Sequence, residues 1–192
     1  MRCAGAAAAV IALALLVAAG GIGAEARQGP EKVAIAEFVG EAPTFGEVAD
    51  LVPRILAEAI REASRGRLRI VEARIVRGEM VRRRWTSSDL VSLTNAAELG
   101  RAVNADVMVT WQVSYFDSNG GNDGANSRGF NETMAAVRIR AMEVATRRRL
   151  VDAEFSGSSF RAMRYEATRE ALANLARKAA RAIVTPGSVP AE

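Results

Sequence analysis

The stretch Asp106–Phe116, DVMVTWQVSYF, decides which fold the rest of the chain can adopt. Apolar or aromatic side chains alternate along it with polar ones: Val107, Val109, Trp111, Val113 and Tyr115 share one face, and Thr110, Gln112 and Ser114 share the other. This two-residue period predicts a long, half-buried β-strand. The segment 95–105 before it is predicted to be a short helix, with Asn95 and Glu98 as a capping box and Asn104 left-handed at its end. A helix that leads into a central strand is therefore the unit around which the other elements are placed.

The amino terminus has the pattern of an export signal that is removed after translocation. Arg2 precedes an almost wholly apolar run, and Ala24-Glu25-Ala26 matches a small-x-small cleavage site. We therefore predict a signal peptide over residues 1–26, a linker over 27–31, one globular domain over 32–184 and a disordered tail over 185–192. An uncleaved membrane anchor is the alternative. Because Cys3 lies before the apolar run, we expect no lipidation there, and the predicted location is the periplasm or the exterior.

The composition excludes several kinds of enzyme. The chain contains no histidine, and its one cysteine lies in the predicted signal peptide. The mature chain therefore has no thiol nucleophile, disulfide, histidine triad or cysteine–histidine zinc site. Its basic charge comes almost entirely from arginine, which does not act as a base at ordinary pH. The net charge of +4 is modest and gives no argument for a nucleic-acid partner. We predict no catalytic residue, no metal site and no cofactor.

Strands and helices are predicted to alternate before the central strand. A strand over Lys32–Phe38, apolar enough to be buried on both faces, precedes a helix that begins close before Pro53 or kinks there and ends at Gly66. A short strand over Leu68–Val71 and a basic helical segment over Ile75–Arg84 follow. Four apolar side chains of that segment are predicted to meet the core: Ile75, Val76, Met80 and Val81. Residues 85–89 are predicted to be a turn.

An antiparallel hairpin and a helix complete the predicted domain. A polar, glycine-rich loop over Asp117–Asn131 leads to the hairpin, whose strands are Thr133–Val144 and Leu150–Ser156 with Arg138 and Arg140 on one face. The loop is rich in oxygen ligands, but its spacing departs from a calcium loop. The last helix covers Tyr165–Val184. The order β-α-β-α-α-β-β-β-α predicts an α/β (α+β) domain with one mixed sheet of about five strands and helices packed mainly on one face.

Three segments carry a resemblance to a known family: the first strand VAIAEF at residues 33–38, the pattern Leu-Gly-x-x-x-x-Ala-Asp, and the hairpin over 137–155. Leu99, Gly100, Ala105 and Asp106 stand in the pattern. Over about residues 32–184 the chain resembles the periplasmic domain shared by CsgG-like curli-secretion lipoproteins, outer-membrane activators of penicillin-binding proteins, and the amino-terminal domain of TolB. The resemblance implies a sheet-and-helix domain that acts in the envelope. Arg147 stands where such hairpins usually carry glycine. Without a lipidation cysteine or added membrane-spanning hairpins, the chain is more similar to a soluble relative than to a pore.

The most concentrated basic patch, Arg82-Arg83-Arg84-Trp85, is the candidate partner-binding site. Guanidinium groups bind carboxylates bidentately and stack on aromatic rings, so this patch predicts a docking surface for an acidic partner. The alternative is a solvated helix end with Trp85 tucked beneath it. The carboxylates Glu37 and Asp106 are a weaker candidate for acid–base chemistry, and the alternative for them is a capping or surface role.

These features favour a non-enzymatic exported envelope protein that acts as a binding or assembly module. The expected partner is another envelope protein, and peripheral association with the membrane or peptidoglycan and self-association stay open. A subunit of a channel-type secretion oligomer is the first alternative hypothesis. A small exported hydrolase that uses carboxylates is the second.

Overall fold

The computed structural model describes residues 31–38, 46–120 and 131–185, and the predicted signal peptide, residues 27–30 of the linker and residues 186–192 of the tail lie outside them. The described elements are β1 (Glu31–Ile35), α1 (Gly46–Ser64), β2 (Leu68–Ile70), α2 (Ala73–Arg82), a 3-10 helix (Ser87–Val91), α3 (Leu93–Ala102), β3 (Val107–Gly120), β4 (Asn131–Glu143), β5 (Arg149–Arg161) and α4 (Arg164–Val184). The predicted order of strands and α-helices is confirmed.

The five strands form one mixed sheet in the order β2-β1-β3-β4-β5. Strand β1 is parallel to both β2 and β3, whereas β3, β4 and β5 are antiparallel to one another. Strand β1 is buried on both faces, since Val33 and Ala34 are both fully buried while their side chains point in opposite directions. The predicted mixed sheet and the predicted burial of the first strand are confirmed.

Two hydrophobic cores lie on the two faces of the sheet. The larger core packs α1 and α4 against β1, β3, β4 and β5, and it includes the predicted stripe of α4: Leu172, Leu175, Ala179, Ala182 and Ile183. The smaller core packs α2, the 3-10 helix and α3 against residues such as Ala34, Met108 and Met142. The two long helices therefore share one face, and the short ones cover only the β1 side of the other. Helix packing lies mainly on one face, as predicted. None of the described helices is long and apolar enough to cross a membrane.

The strands differ from their predicted limits. Strand β3 continues to Gly120 and β4 begins at Asn131, so both ends of the segment predicted to be a loop are strand, and residues 121–130 of that loop lie outside the described part of the chain. Strand β5 continues past Ser156 to Arg161. The register of β3 against β4 shifts between Val113 and Tyr115. This β-bulge ends the predicted alternation, because it turns Tyr115 to the opposite face from Val113.

Several predictions about the helices are also wrong in detail. Helix α1 begins at Gly46, so it does not begin close before Pro53; the proline lies inside the helix, where a kink was the other prediction. Helix α3 is capped by Ser92, whose hydroxyl accepts from the Asn95 N–H at 3.5 Å, so the predicted Asn95–Glu98 capping box is not the one that forms. Residues 87–89 of the predicted turn belong instead to the 3-10 helix Ser87–Val91, whose capping box consists of Thr86 and Asp89. In α2, Val76 and Met80 are buried as predicted, but the other two predicted core residues are exposed: Ile75 and Val81.

Candidate docking surfaces

The predicted site Arg82–Trp85 forms the carboxyl-terminal end of α2. Arg84 is left-handed, with a φ of 57°. The Arg84 N–H donates to the Val81 carbonyl at 3.0 Å, and the Trp85 N–H donates to the Met80 carbonyl at 2.9 Å. These two bonds make a Schellman motif, in which the residue after the left-handed position packs back onto the last turn. Trp85 accordingly lies half-buried against the smaller core.

Two of the three arginines in this site are held by one carboxylate. Glu79 accepts hydrogen bonds from Arg82 Nε at 2.8 Å and from Arg83 Nε at 2.6 Å. Hydrogen bonds from Arg82 and Arg83 lower the pKa of the Glu79 carboxyl to about 2. Arg83 also lies 3.5 Å from Glu98 Oε2, and its guanidinium is 4.8 Å from the centre of the Trp85 ring. The positive charges of Arg82 and Arg83 are therefore largely compensated within the fold.

Arg84 differs from its two neighbours. Its side chain is exposed and pairs with no carboxylate in the part of the chain that the structure describes. The structure thus brings Arg83 and Trp85 into contact, as an interface pair would require, but only Arg84 offers an uncompensated charge to a partner. Of the four predicted residues, Trp85 contributes mainly to packing and Arg84 mainly to the surface.

A second surface lies on the face of β3, β4 and β5 that is opposite α4, which we call the open face because no described helix packs against most of it. Three large side chains are exposed there: Tyr115, Met134 and Phe160, at 48%, 48% and 59%. Tyr115 is opposite Ala136, Met134 is opposite Ser158, and Phe160 is opposite Glu132. The three side chains therefore form a diagonal line across three adjacent strands, which we call the exposed stripe.

Sequence reasoning missed the exposed stripe for identifiable reasons. Tyr115 reaches the open face because of the bulge after Val113, and the uninterrupted alternation of the sequence gave no sign of that extra residue. Phe160 lies in the part of β5 beyond its predicted end at Ser156. Met134 is the one member with a usable signal, because it alternates with the buried residues Thr133 and Ala135.

The open face also carries an arginine cluster around one acid. Asp152 Oδ1 accepts from Arg138 Nε at 2.9 Å and from Arg140 Nε at 3.3 Å, and its Oδ2 lies 3.0 Å from Arg149 Nη1. Burial raises the pKa of the Asp152 carboxyl, but the hydrogen bonds and charges of Arg138 and Arg140 outweigh burial and leave that pKa below its ordinary value. Arg138 and Arg140 share a face, as predicted, and both pair with the one carboxylate of Asp152 on the neighbouring strand.

The carboxylates Glu37 and Asp106 are not brought together. Asp106 Oδ2 accepts from the Lys32 N–H at 2.9 Å, where β1 and β3 begin, whereas Glu37 follows the other end of β1. Burial raises the pKa of Glu37, partly offset by Arg77 and Arg54. Asp106 therefore has the capping role that was the alternative. Across residues 31–38, 46–120 and 131–185, no group of three or more acidic, cysteine or histidine side chains is arranged to hold a metal ion.

No protein-family model matches the sequence, and no curated protein matches it either. Three solved structures illustrate what the chain is similar to. Lipoprotein GNA1162 from Neisseria meningitidis aligns at 13% identity and a TM-score of 0.48, over 68% of this chain and 84% of its own. The PelC dodecamer from Paraburkholderia phytofirmans aligns at 17% identity and a TM-score of 0.49, over 78% of this chain and 86% of its own. The LpoB carboxyl-terminal domain from Salmonella enterica aligns at 12% identity and a TM-score of 0.39, over 69% of this chain and 85% of its own. At these identities and TM-scores the likenesses support no statement about function.

Proposed function

We propose that this chain is an exported, non-enzymatic binding or assembly module of the bacterial envelope, and that it works by presenting the open face to a partner protein. The observation that carries the proposal is the exposed stripe. Tyr115, Met134 and Phe160 project from three hydrogen-bonded strands, so their backbone positions are fixed before any partner arrives. Because the backbone that carries these side chains is already ordered, binding requires no ordering of a loop or chain segment.

The chemistry of the exposed stripe is that of an interface centre. Aromatic side chains and methionine are enriched in the cores of protein–protein interfaces, where a few such residues supply most of the binding energy. The stripe lies beside polar and charged groups such as Glu132 and Asp117, which suit the hydrated rim of such an interface. An exposed apolar patch with a polar border on a rigid sheet supports partner binding.

Export and the role of the arginine site belong to the same proposal. The small-x-small site at residues 24–26 after an apolar run supports removal of a signal peptide and a periplasmic location. We further infer that Arg84, beside the packed ring of Trp85, offers a second contact for an acidic group of the partner. The charge of Arg84 is available for this contact because Glu79, the acid in this cluster, binds Arg82 and Arg83.

The test is chemical cross-linking of the purified exported protein to its own envelope fraction, read by mass spectrometry beside its light-scattering mass. We expect one defined partner, and we expect Tyr115→Ser/Phe160→Ser to reduce its yield about tenfold or more, as loss of central interface residues does. The matched control Ile75→Ser/Val81→Ser removes equally exposed apolar groups from α2 and should retain the partner. Arg84→Glu should weaken capture without changing the melting temperature.

Two results would reject this proposal. One is undiminished cross-linking by the stripe variant at an unchanged melting temperature, which would show that the open face does not meet the partner. The other is a large homomeric ring that captures no other protein, which would favour a secretion oligomer. The mass of the purified protein by intact mass spectrometry checks removal of residues 1–26 in the same preparation.

A further inference from the structure

A groove of about 710 Å³ runs from the open face over the edge of the sheet to α4. Tyr115 and Met134 lie at its open-face end, Ser156 and Ser158 of the edge strand β5 line its middle, and cationic side chains of α4 line its other end. We call this feature the cationic groove. Its size is in the range that binding sites for small ligands and short peptide segments occupy.

The edge of β5 is occupied where the groove crosses it. Lys178 Nζ donates to the Ser156 carbonyl at 2.8 Å, and Asn174 Nδ2 donates to the Ser158 carbonyl at 2.9 Å. Two main-chain acceptors of the edge strand are therefore satisfied by α4. A partner chain that extended the sheet would have to displace both side chains, so a ligand in this groove lies across the strands instead of adding one.

The α4 side of the groove is rich in positive charge, and an acid, Glu62 of α1, lines the adjoining pocket together with Arg177 and Arg181. The α4 side is lined by Arg177, Lys178 and Arg181, and none of the three pairs with a carboxylate within the described residues. The lining contains one acid, Glu154, on the opposite wall. The arginines of the open face behave differently, because Arg138 and Arg140 both pair with Asp152.

The position of these cations on the helix is only partly explained by the fold. Cations near the carboxyl-terminal end of a helix interact favourably with the helix dipole, but the effect is confined to the last turn. Arg181 is the basic residue of that turn in α4, whereas Arg177 and Lys178 lie before it. The helix dipole therefore does not account for Arg177 and Lys178. Lys178 instead donates to the Ser156 carbonyl and Arg177 to the Asn174 side chain, and both keep a positive charge that no ion pair within the described residues compensates.

We propose that the cationic groove binds an extended acidic peptide segment of the partner protein, with an apolar or aromatic residue of that segment on Tyr115 and Met134. This inference rests on the proposed binding function and names the chemistry of the partner. From β3 to β5 the groove crosses two strand spacings, about 10 Å, and the step from sheet to helix adds a similar distance. At about 3.3 Å per extended residue, this span accommodates about six residues.

The test measures binding of two fluorescein-labelled hexapeptides, FADEDE and FAKKKK, to the purified exported protein by fluorescence anisotropy. We expect FADEDE to bind in a salt-sensitive manner and FAKKKK not to bind, because the α4 wall is positive. Arg177→Glu/Arg181→Glu should weaken FADEDE binding about tenfold or more. The matched control Arg164→Glu/Arg169→Glu makes the same charge change on exposed residues of the same helix, and it should alter binding less than about twofold.

Three outcomes would overturn the inference. The first is that FADEDE does not bind. The second is that the groove variant and the control variant weaken FADEDE binding equally. The third is that phosphatidylglycerol vesicles bind with the same dependence on Arg177 and Arg181 while FADEDE does not. The last outcome would identify an anionic membrane surface as the ligand. If cross-linking still depends on Tyr115 and Phe160, failure here rejects the acidic peptide alone and leaves the proposed function standing.

Discussion

At the scale of single residues, Gly157 shows how closely α4 lies against the edge strand. A Cβ atom built on Gly157 would lie 2.1 Å from the Ala171 carbonyl oxygen and 2.9 Å from the Leu175 nitrogen, both in the backbone of α4. Gly78 is the opposite case, since a Cβ atom there would have no neighbour within 4 Å. The same glycine-to-alanine change therefore tests two different physical effects in one protein.

We expect Gly157→Ala to destabilise the protein by about 1–3 kcal/mol or more, because a helix backbone cannot move aside as a side chain can. Gly78→Ala should stabilise it by roughly 0.5–1 kcal/mol, because alanine loses less conformational entropy in a helix interior. The free energies of unfolding are measured in urea. If Gly157→Ala left the free energy of unfolding unchanged, α4 could shift away from β5. The wall of the cationic groove would then be less rigid than its geometry implies.

Some residue-level features could be predicted from the sequence because a local pattern specifies them. Asn104 is left-handed with a φ of 53°, as its position at a helix end predicted. In the Leu-Gly-x-x-x-x-Ala-Asp pattern, Leu99 is fully buried and Asp106 ties β1 to β3. The left-handed conformation of Arg147, with a φ of 59°, could not be predicted from the sequence, because arginine stands there in place of the usual glycine.

At the scale of secondary-structure elements, the end of α2 combines a main-chain cap with an ion-pair cluster. The Schellman bonds fix Arg84 and Trp85, and Glu79 one turn earlier binds both Arg82 and Arg83. The folded-state pKa of Glu79, about 2, is below its ordinary value of 4.5. The ionised carboxyl is therefore stabilised in the folded state, and this contribution is complete above about pH 4.5 and is lost as the pH falls toward about 2.

Glu79→Gln should therefore lower the melting temperature at pH 7, and the difference from the unchanged protein should shrink as the pH falls from about 4.5 to about 2. Glu58→Gln is the control, because Glu58 is exposed on α1 and should change the melting temperature little at any pH. Melting curves followed by circular dichroism give both values. If the melting-temperature difference between Glu79→Gln and the unchanged protein did not vary with pH, the lost stability would come from packing and not from charge.

The elements that sequence analysis placed correctly are those whose signal is local. Helix α4 and strand β3 have long, regular periodicity, so their existence and type follow from the pattern. The last part of β5, which includes Gly157 and three serines, has little intrinsic preference for a strand. It is extended because β4 pairs with it and α4 packs on it, and neither contact is visible in a local window.

At the scale of the whole molecule, one sheet separates two cores that share few side chains. Trp111 is half-buried and packs against both of them. Its indole N–H donates to the Ala36 carbonyl at 2.7 Å, and its ring lies 6.5 Å from that of Phe38. The sequence predicted that Trp111 belongs to the core, but not that the short helices would cover part of the second face, because that depends on how α2 and α3 cross over β1.

We expect Trp111→Ala to destabilise the protein by about 3–5 kcal/mol, because it removes packing from both cores at once. Trp111→Phe should cost less, about 1–2 kcal/mol, since it keeps an aromatic ring but leaves the Ala36 carbonyl without its donor. Trp85→Ala is the comparison, because Trp85 contacts only the smaller core and its loss should cost less than that of Trp111. Urea unfolding followed by circular dichroism measures all three. If Trp111→Ala cost under about 1 kcal/mol, the two cores would be stable independently of this contact. In that case the strands of the open face would be held rigid without help from the short helices, which contact β3 through Trp111.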